Sequence, residues 1–267
     1  MSKPRQRADR LLVERGLFES RAKAQAAIEA GLVFADDQPV RKASEELATD
    51  SVIRASAAHP YVSRGGIKLA AALQHFGFDP KGRVCLDVGA STGGFAQVLL
   101  EHGAKRVYAV DVGHGQLHDS LRLRPEITLF EATDIRSLSP HLLDEAPDFV
   151  TVDVSFTSLK NVLPPALLLA EGPARLVALI KPQFEAGKGE VGKNGVVRDN
   201  AIHARILRDV VASAASNDLT LAGLTPSPIK GPAGNIEFLG YFQFDSDPEV
   251  AIDLESAIES AIAGAPK

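Results

Sequence analysis

The stretch LVALIKPQFE, residues 176–185, carries five uninterrupted apolar residues straight into Lys181 and Pro182. Such a run suits a strand covered on both faces. Pro182 cannot donate to a sheet ladder, so the strand should end there with an ammonium at its tip. Three other strand-like stretches carry a charge at or near the same end: Asp87 in RVCLDV, Asp111 in RVYAVDV and Asp153 in DFVTVDV. In an open α/β sheet, ligands bind outside the C-terminal ends of the strands. The pattern therefore places three carboxylates and one lysine on one ligand-binding rim.

The first turn of this set, DVGASTGGF at 87–95, narrows the ligand. Glycine after a strand lets backbone approach a ligand, and the following helix start favours an anion. Gly89 and Gly94 fill the outer positions of G-x-G-x-x-G, but Ser91 replaces the middle glycine that makes room for pyrophosphate. Asp87 would also sit badly beside a pyrophosphate and suits a cationic amino group. Asp111 falls where α/β nucleotide sites bond ribose hydroxyls. Asp134, in ATDIRSL, is placed to accept from an adenine amino group. Amino acid, ribose and adenine together describe S-adenosylmethionine. The expected cofactor contacts are Asp87, Gly89, Ala90, Ser91, Gly93, Gly94 and Phe95 in the turn, then Asp111, Val112, Asp134 and Ile135. A competitor is GKGEVGKN at 187–194, close to a phosphate-binding loop. Asn194 replaces its Ser/Thr and GVVRD intervenes before any helix, so it reads as a mobile glycine-rich lid. His114 and His118 lie four apart without a third ligand, so no metal is expected. Cys85, inside an apolar strand, reads as core.

These side chains need a sheet to hold them. Seven strand candidates (RVCLDV, RVYAVDV, ITLFEA, DFVTVDV, ARLVALI, LTLAGLT, IEFLGYFQF) alternate with helices near 63–76, 93–102, 115–122, 157–170 and 199–216. That alternation argues for a parallel sheet with helices on both faces. Residues before it read as a separate α+β unit. ADRLLVERG and SRAKAQAAIEAG are helices, the second capped by Ser20, and LVFADDQPV is strand, turn, strand. Arg21 and Lys23 stand in the first turn of the second helix, where the dipole disfavours cations. They mark either a phosphate site or a solvated basic face. The expected boundaries are 1–58 for this unit, 59–62 for a linker, 63–246 for the α/β domain and 247–267 for a helix and tail.

Bulk properties limit the setting. The chain has 267 residues, 45% of them apolar and 24% charged, as in ordinary globular proteins. The net charge of -5 is uneven. Residues 1–60 hold ten Lys/Arg against nine Asp/Glu, whereas the remainder holds 19 against 25. A basic N-terminus on an acidic chain points to an anionic partner. One cysteine excludes an internal disulfide framework and suits a reducing, cytoplasmic compartment. MSKPRQRADR lacks a signal peptide's apolar core, and no stretch reaches the roughly 18 apolar residues of a membrane helix, so no membrane partner is expected.

The motifs DVGASTGGF, DFVTVDVSF, LIKPQFE and GNIEFLGYF together resemble the FtsJ-like ribose methyltransferases. With YVSRGGIKL and the N-terminal RADRLLVERGLFESRAKAQAAIEAGLVFADDQPV, the chain resembles the TlyA family over residues 5–244. Members are described both as hemolysins and as ribosomal RNA 2′-O-methyltransferases. The resemblance implies a doubly wound Rossmann-like methyltransferase sheet behind a small RNA-binding domain. It also implies a Lys-Asp-Lys-Glu tetrad, which falls on Lys68, Asp153, Lys181 and Glu237. A ribose hydroxyl must lose its proton as it attacks. A lysine can take it only if its pKa falls from about 10.4, and otherwise stabilises the alkoxide as an ammonium. The sequence leaves both roles open. The implied partner is ribosomal RNA, probed by phosphate contacts from Arg5, Arg7, Arg10, Arg15, Ser20, Arg21, Lys23 and Arg64. The alternatives are an RNA-binding assembly factor with a non-catalytic cofactor pocket, and a membrane-active hemolysin.

Overall fold

A computed structural model describes residues 4–170, 172–244 and 252–266. The chain divides into two units, Met1–Pro60 and Tyr61–Lys267.

In the first unit, β1 (Arg5–Arg7) leads directly into α1 (Ala8–Glu14), followed by α2 (Arg21–Glu29), β2 (Val33–Ala35), β3 (Gln38–Pro39), β4 (Glu46–Ala48) and β5 (Ile53–Ala55). The Ser20 hydroxyl accepts from the Lys23 amide at the start of α2. Asp36 and Asp37 both take positive φ, 50° and 63°, which makes the β2–β3 turn a mirror-image one suited to a tight hairpin. β1 is not legible in the sequence, because RQR shows no apolar alternation. It forms by antiparallel pairing with β4. Leu11, Leu12, Ala24, Ala27, Ile28, Val33 and Leu47 make the core.

The second unit begins with α3 (Gly65–Phe76). Then come β6 (Val84–Val88), α4 (Gly94–Glu101), β7 (Arg106–Val110), α5 (Asp119–Arg122), β8 (Ile127–Phe130), β9 (Phe149–Val152) and α6 (Leu159–Leu167). β10 (Ala174–Ile180), α7 (Pro182–Glu185), α8 (Asn200–Ala215), β11 (Leu219–Pro226), β12 (Phe238–Phe244) and α9 (Leu254–Ala263) complete it. The seven strands form one sheet in the order β11-β12-β10-β9-β6-β7-β8. The seven strand candidates are therefore all present, in one sheet that is mixed rather than parallel. β12 runs antiparallel to both β10 and β11. The reason is the connection: only residues 227–237 separate β11 from β12, too few for the crossover of a dozen or more that parallel pairing needs. The helix expected over 115–122 shrinks to α5, because Gly115 takes φ 66° and the His118 ring caps the Ser120 amide. Of the expected C-terminal helix and tail, residues 247–251 lie outside the described residues. α9 buries Ile258 and Ala261 in the same core as Leu219 and Leu224.

Strand order also locates the site. From β6 the chain steps outward to β7 and β8, then returns to β9 on the other side of β6. Such a switch point leaves a crevice beyond the strand ends. Val84, Leu86 and Val88 of β6 point into one apolar layer and Cys85 into the other, where it is buried and free.

Candidate active site

The crevice is a cleft of about 460 Å³ at the ends of β6, β7 and β9. Gly89 opens it. With φ at 86°, a Cβ there would stand 2.5 Å from the Asp153 carbonyl oxygen, so only glycine lets the ends of β6 and β9 come this close. The Asp111 carboxylate accepts from the Ser91 amide at 2.8 Å and the Gly113 amide at 2.6 Å, which fixes it at the cleft wall. Asp134 accepts from the Arg136 amide at 2.9 Å and holds the Arg136 guanidinium at 2.5 Å. That guanidinium pulls its carboxyl down to about 2. Of the expected cofactor contacts, Gly89, Ser91, Asp111, Val112, Asp134 and Ile135 line this cleft, and Asp153 joins them.

The other expected contacts do not reach it. Ala90 and Phe95 are buried. Gly93, at φ 91°, is glycine because a Cβ would strike Leu117 and Leu121, and a Cβ on Gly94 would lie 2.2 Å from the Ser63 hydroxyl. These residues shape the turn from behind. Asp87 is 0% exposed. One carboxylate oxygen accepts from the Thr151 hydroxyl at 2.9 Å, and the other has no hydrogen-bond partner among the described residues. Burial first, and the nearby Asp153 charge, push its carboxyl up to about 7. A direct bond to a ligand's amino group is closed to it here. Sequence reasoning passed over Gln116, Thr133, Arg136, Phe156 and Asn161, which also line the cleft. Phe156 ends the motif DFVTVDVSF and Asn161 lies in α6, whereas Gln116, Thr133 and Arg136 lie in connections without apolar periodicity.

A second cleft of about 370 Å³ adjoins the first, and Ser155 and Phe156 line both. Lys181 and Glu237 belong to this second cleft. Lys181, 8% exposed, places Nζ 2.7 Å from Asp153 Oδ1 and 2.9 Å from the Ser155 hydroxyl. The contact with Asp153 is close but not an aligned hydrogen bond, since Oδ1 is left without one. Lys68 donates to Glu237 at 2.5 Å, with both side chains buried. Gly231 makes room for Glu237, because a Cβ there would lie 2.5 Å from its carboxylate. The four residues therefore form two ion pairs, the buried Lys68–Glu237 and Lys181–Asp153, in which Asp153 is partly exposed. Pro182 opens α7, a single turn that sequence reasoning missed. Its Glu185 accepts from the Ser158 hydroxyl at 2.6 Å and the Leu159 amide at 2.8 Å, tying α7 to α6.

The glycine-rich loop after α7 walls the second cleft with Val191, Asn194 and Gly195. Asn235 holds it by accepting from the Val197 amide at 3.0 Å and donating to the Gly195 carbonyl at 2.8 Å. Glu190 holds it again through Arg205 at 2.5 Å. The loop expected to be a mobile lid is thus fastened at both places. Phe156, at φ 63° and 91% exposed, stands over the shared wall with its ring 5.2 Å from Phe184.

The basic candidates of the first unit divide. Arg7 and Arg21 bind the buried Asp9, at 3.1 and 2.5 Å. Arg5 donates to the Glu46 carbonyl, and Arg15 to the Ser51 and Thr49 carbonyls. Lys23 pairs with Glu19 at 2.5 Å. Arg10 alone among these seven Arg, Lys and Ser candidates is exposed with no side-chain partner among the described residues. In the second unit, Arg64 donates to the Lys230 carbonyl.

A mixed seven-stranded sheet with a cleft at its switch point is the architecture of the Rossmann-like methyltransferases. Residues 61–244 match the FtsJ-like methyltransferase family and residues 6–53 match the S4 domain. The chain belongs to the FtsJ-like methyltransferases and, among them, to the TlyA proteins. It is 42% identical to the 16S/23S rRNA (cytidine-2'-O)-methyltransferase TlyA of Mycobacterium tuberculosis, over 98% of this chain and 99% of that one. It is 39% identical to Hemolysin A of Brachyspira hyodysenteriae, over 88% of this chain and 99% of that one. A solved structure from Streptococcus thermophilus, whose name carries the word hemolysin, is 38% identical with a TM-score of 0.77 and covers 98% of both chains. Among the described residues, no helix is long and apolar enough to cross a membrane.

Proposed function

We propose that the protein methylates the ribose 2′-hydroxyl of a cytidine in ribosomal RNA, with S-adenosylmethionine as donor in the 460 Å³ cleft. The observation that carries this reading is the junction of the two clefts. Asp153 lines the first and Lys181 the second, and their charged ends are 2.7 Å apart. A donor in one cleft and an acceptor in the other would meet at that pair. The relatives named as rRNA cytidine-2′-O-methyltransferases support the substrate, and the S4 domain supports RNA as its class.

The residues present fit the donor. Asp111 keeps free lone pairs for ribose hydroxyls and Gly89 provides the approach, while Asp134 accepts from an adenine amino group only if the Arg136 guanidinium, bound to both its oxygens, swings away. When bound, the sulfonium supplies an already activated methyl group. Lys181 Nζ stands where the acceptor oxygen gains negative charge. As an ammonium it stabilises that charge, and as an amine it takes the proton. Asp153 and Ser155 orient Nζ in both cases. Lys68 and Glu237 neutralise each other and leave no net charge beside the acceptor. Alignment of oxygen, carbon and sulfur accounts for much of the remaining acceleration.

The test is incubation with radiolabelled S-adenosylmethionine and, separately, free ribosomal RNA, each subunit and whole ribosomes from a strain lacking the enzyme. Label on a cytidine 2′-oxygen is the expected result. Label absent despite cofactor binding by calorimetry directs the search to another acceptor. Loss of both supports an RNA-binding factor with a non-catalytic pocket.

A further inference from the structure

The wall of the first cleft holds a carboxamide with no task assigned so far. Gln116 lines the cleft and is exposed, and its side chain has no hydrogen-bond partner among the described residues. Its place is nevertheless fixed from two directions. Glu131 Oε1 accepts from the Gln116 amide at 2.9 Å and from the Leu117 amide at 3.3 Å, and Arg122 holds the same carboxylate at 3.0 Å. Leu117 itself is buried against Gly93. The Gln116 side chain then folds back over Gly113. A Cβ at Gly113 would stand 2.1 Å from Gln116 Nε2, 2.5 Å from its Cδ and 2.9 Å from Asp111 Oδ1. The space left by the glycine is therefore where the carboxamide lies, beside the carboxylate that keeps lone pairs for ribose.

We propose that the Gln116 carboxamide binds a ribose hydroxyl of the cofactor's nucleoside in partnership with Asp111, and that Glu131 is the positioning residue that holds it there. The inference rests on the S-adenosylmethionine reading above and deepens it. The two side chains are chemically complementary. A ribose hydroxyl has one proton to give and lone pairs to receive, whereas the Asp111 carboxylate only accepts. Once Asp111 takes the proton, the hydroxyl oxygen still needs a hydrogen-bond donor, and the Gln116 NH2 supplies it. With the amide turned over, its carbonyl accepts from the second hydroxyl, so the vicinal diol is served in either orientation. A carboxamide also adds no charge, whereas a second carboxylate at this place would repel Asp111.

The experiment measures, by calorimetry on the full chain, the affinity of S-adenosylhomocysteine, which carries the same nucleoside and transfers nothing, and of its 2′-deoxy and 3′-deoxy analogues. Wild type, Gln116→Ala, Glu131→Ala and Glu131→Gln are compared, with folding checked by circular dichroism. Gln116→Ala should weaken the parent ligand by about 3- to 10-fold, one neutral hydrogen bond's worth. It should bind one of the deoxy analogues as wild type does, because the hydroxyl it would have touched is already gone. Glu131→Ala should lose the same discrimination, and Glu131→Gln, which keeps an accepting oxygen for the two amides, should restore it. In Gln116→Ala, an equal loss on all three ligands, or no loss on any, overturns the proposal and leaves the cofactor reading standing. Full discrimination in Glu131→Ala overturns the positioning role. No binding of S-adenosylhomocysteine or S-adenosylmethionine by wild type overturns the cofactor reading and this proposal with it.

Discussion

Each unit of the molecule buries an aspartate completely, and the two are treated in opposite ways. Asp9, in α1, is surrounded by donors: the guanidinium groups of Arg7 and Arg21 and the amide of Gln25. Its carboxyl is held well below the usual range, chiefly by Arg7. Asp87, at the end of β6, has one hydroxyl and an orphan oxygen, and its carboxyl is pushed up to about 7. The first is a satisfied charge that organises a small core. The second is a carboxyl whose ionisation is disfavoured, set directly behind the candidate cleft. Full partnering accompanies the aspartate inside a core, and incomplete partnering the one behind the candidate cleft.

The tetrad extends the contrast, because Asp153, Lys181 and Glu237 line the two clefts, with Lys68 paired behind them. If they serve chemistry, removing one should cost rate far more than stability. Lys181→Ala should lower methyl transfer by about 10²–10⁴-fold, the range for a positioned proton-transfer or charge-stabilising group. Folding by circular dichroism and cofactor affinity by calorimetry should change little. Transfer retained within a few-fold would place Lys181–Asp153 among structural ion pairs and erase the distinction.

The next test inverts the usual expectation for a buried charge. Asp87 binds its proton more tightly in the folded state, up to about 7, than an unfolded aspartate near 3.8. The folded state therefore carries more protons between about pH 4 and 7, and this group's contribution to stability falls as pH rises through that window. Asp87→Asn keeps the shape and removes the ionisation. It should stabilise the second unit by about 2–4 kcal/mol at pH 8 and by little at pH 4. Hydrogen exchange of the full chain, followed in β6 and β9, reads this directly. A destabilised variant at pH 8 would mean that the carboxylate has a compensating partner.

Asp9 should behave with the opposite sign. Its depressed carboxyl contributes stability above the unfolded value, lost as pH falls through and below about 4. Asp9→Asn should loosen the first unit by about 2 kcal/mol at pH 7, the scale of a hydrogen bond to a charged group, and leave exchange in β6 unchanged. Equal effects on both units would show that the satisfied aspartate does more than hold its own core.

These assignments also explain what was legible in the sequence. The seven strands were, because each is an apolar run of strand length, and four of them end in a charge at the rim. Asp111, Asp134, Asp153 and Lys181 were placed at cleft walls because strand ends fix positions along the chain. The direction of β12 follows from connection length, which was on the page but outweighed by the expectation of parallel alternation. β1 was not readable, since RQR is made a strand only by its pairing with β4. The role of Asp87 was half visible. The strand end gave its place, but whether it faces the cleft or is sealed behind it depends on side-chain packing. The basic cluster was the least legible. Arg21 breaks a helix-dipole rule, and the phosphate reading followed, whereas the structure supplies a local anion, Asp9, that sequence spacing of 12 residues concealed.

That local pairing sorts the RNA-binding candidates and sets the smallest expected effect. Arg21 serves Asp9, so Arg21→Ala should weaken both the first unit's stability and RNA affinity. Arg10 is exposed, on the same helix as Asp9, with no side-chain partner among the described residues. If it contacts a phosphate, Arg10→Ala should leave thermal unfolding unchanged and lower the slope of log affinity against log salt for ribosomal RNA by about 0.7–0.9, one counterion's worth. Sequence preference should not move, since a phosphate contact reads no base. Measured side by side, the pair separates a charge that holds the fold from a charge held out for a ligand. An unchanged salt slope in Arg10→Ala would return this face of the S4 domain to ordinary solvated surface.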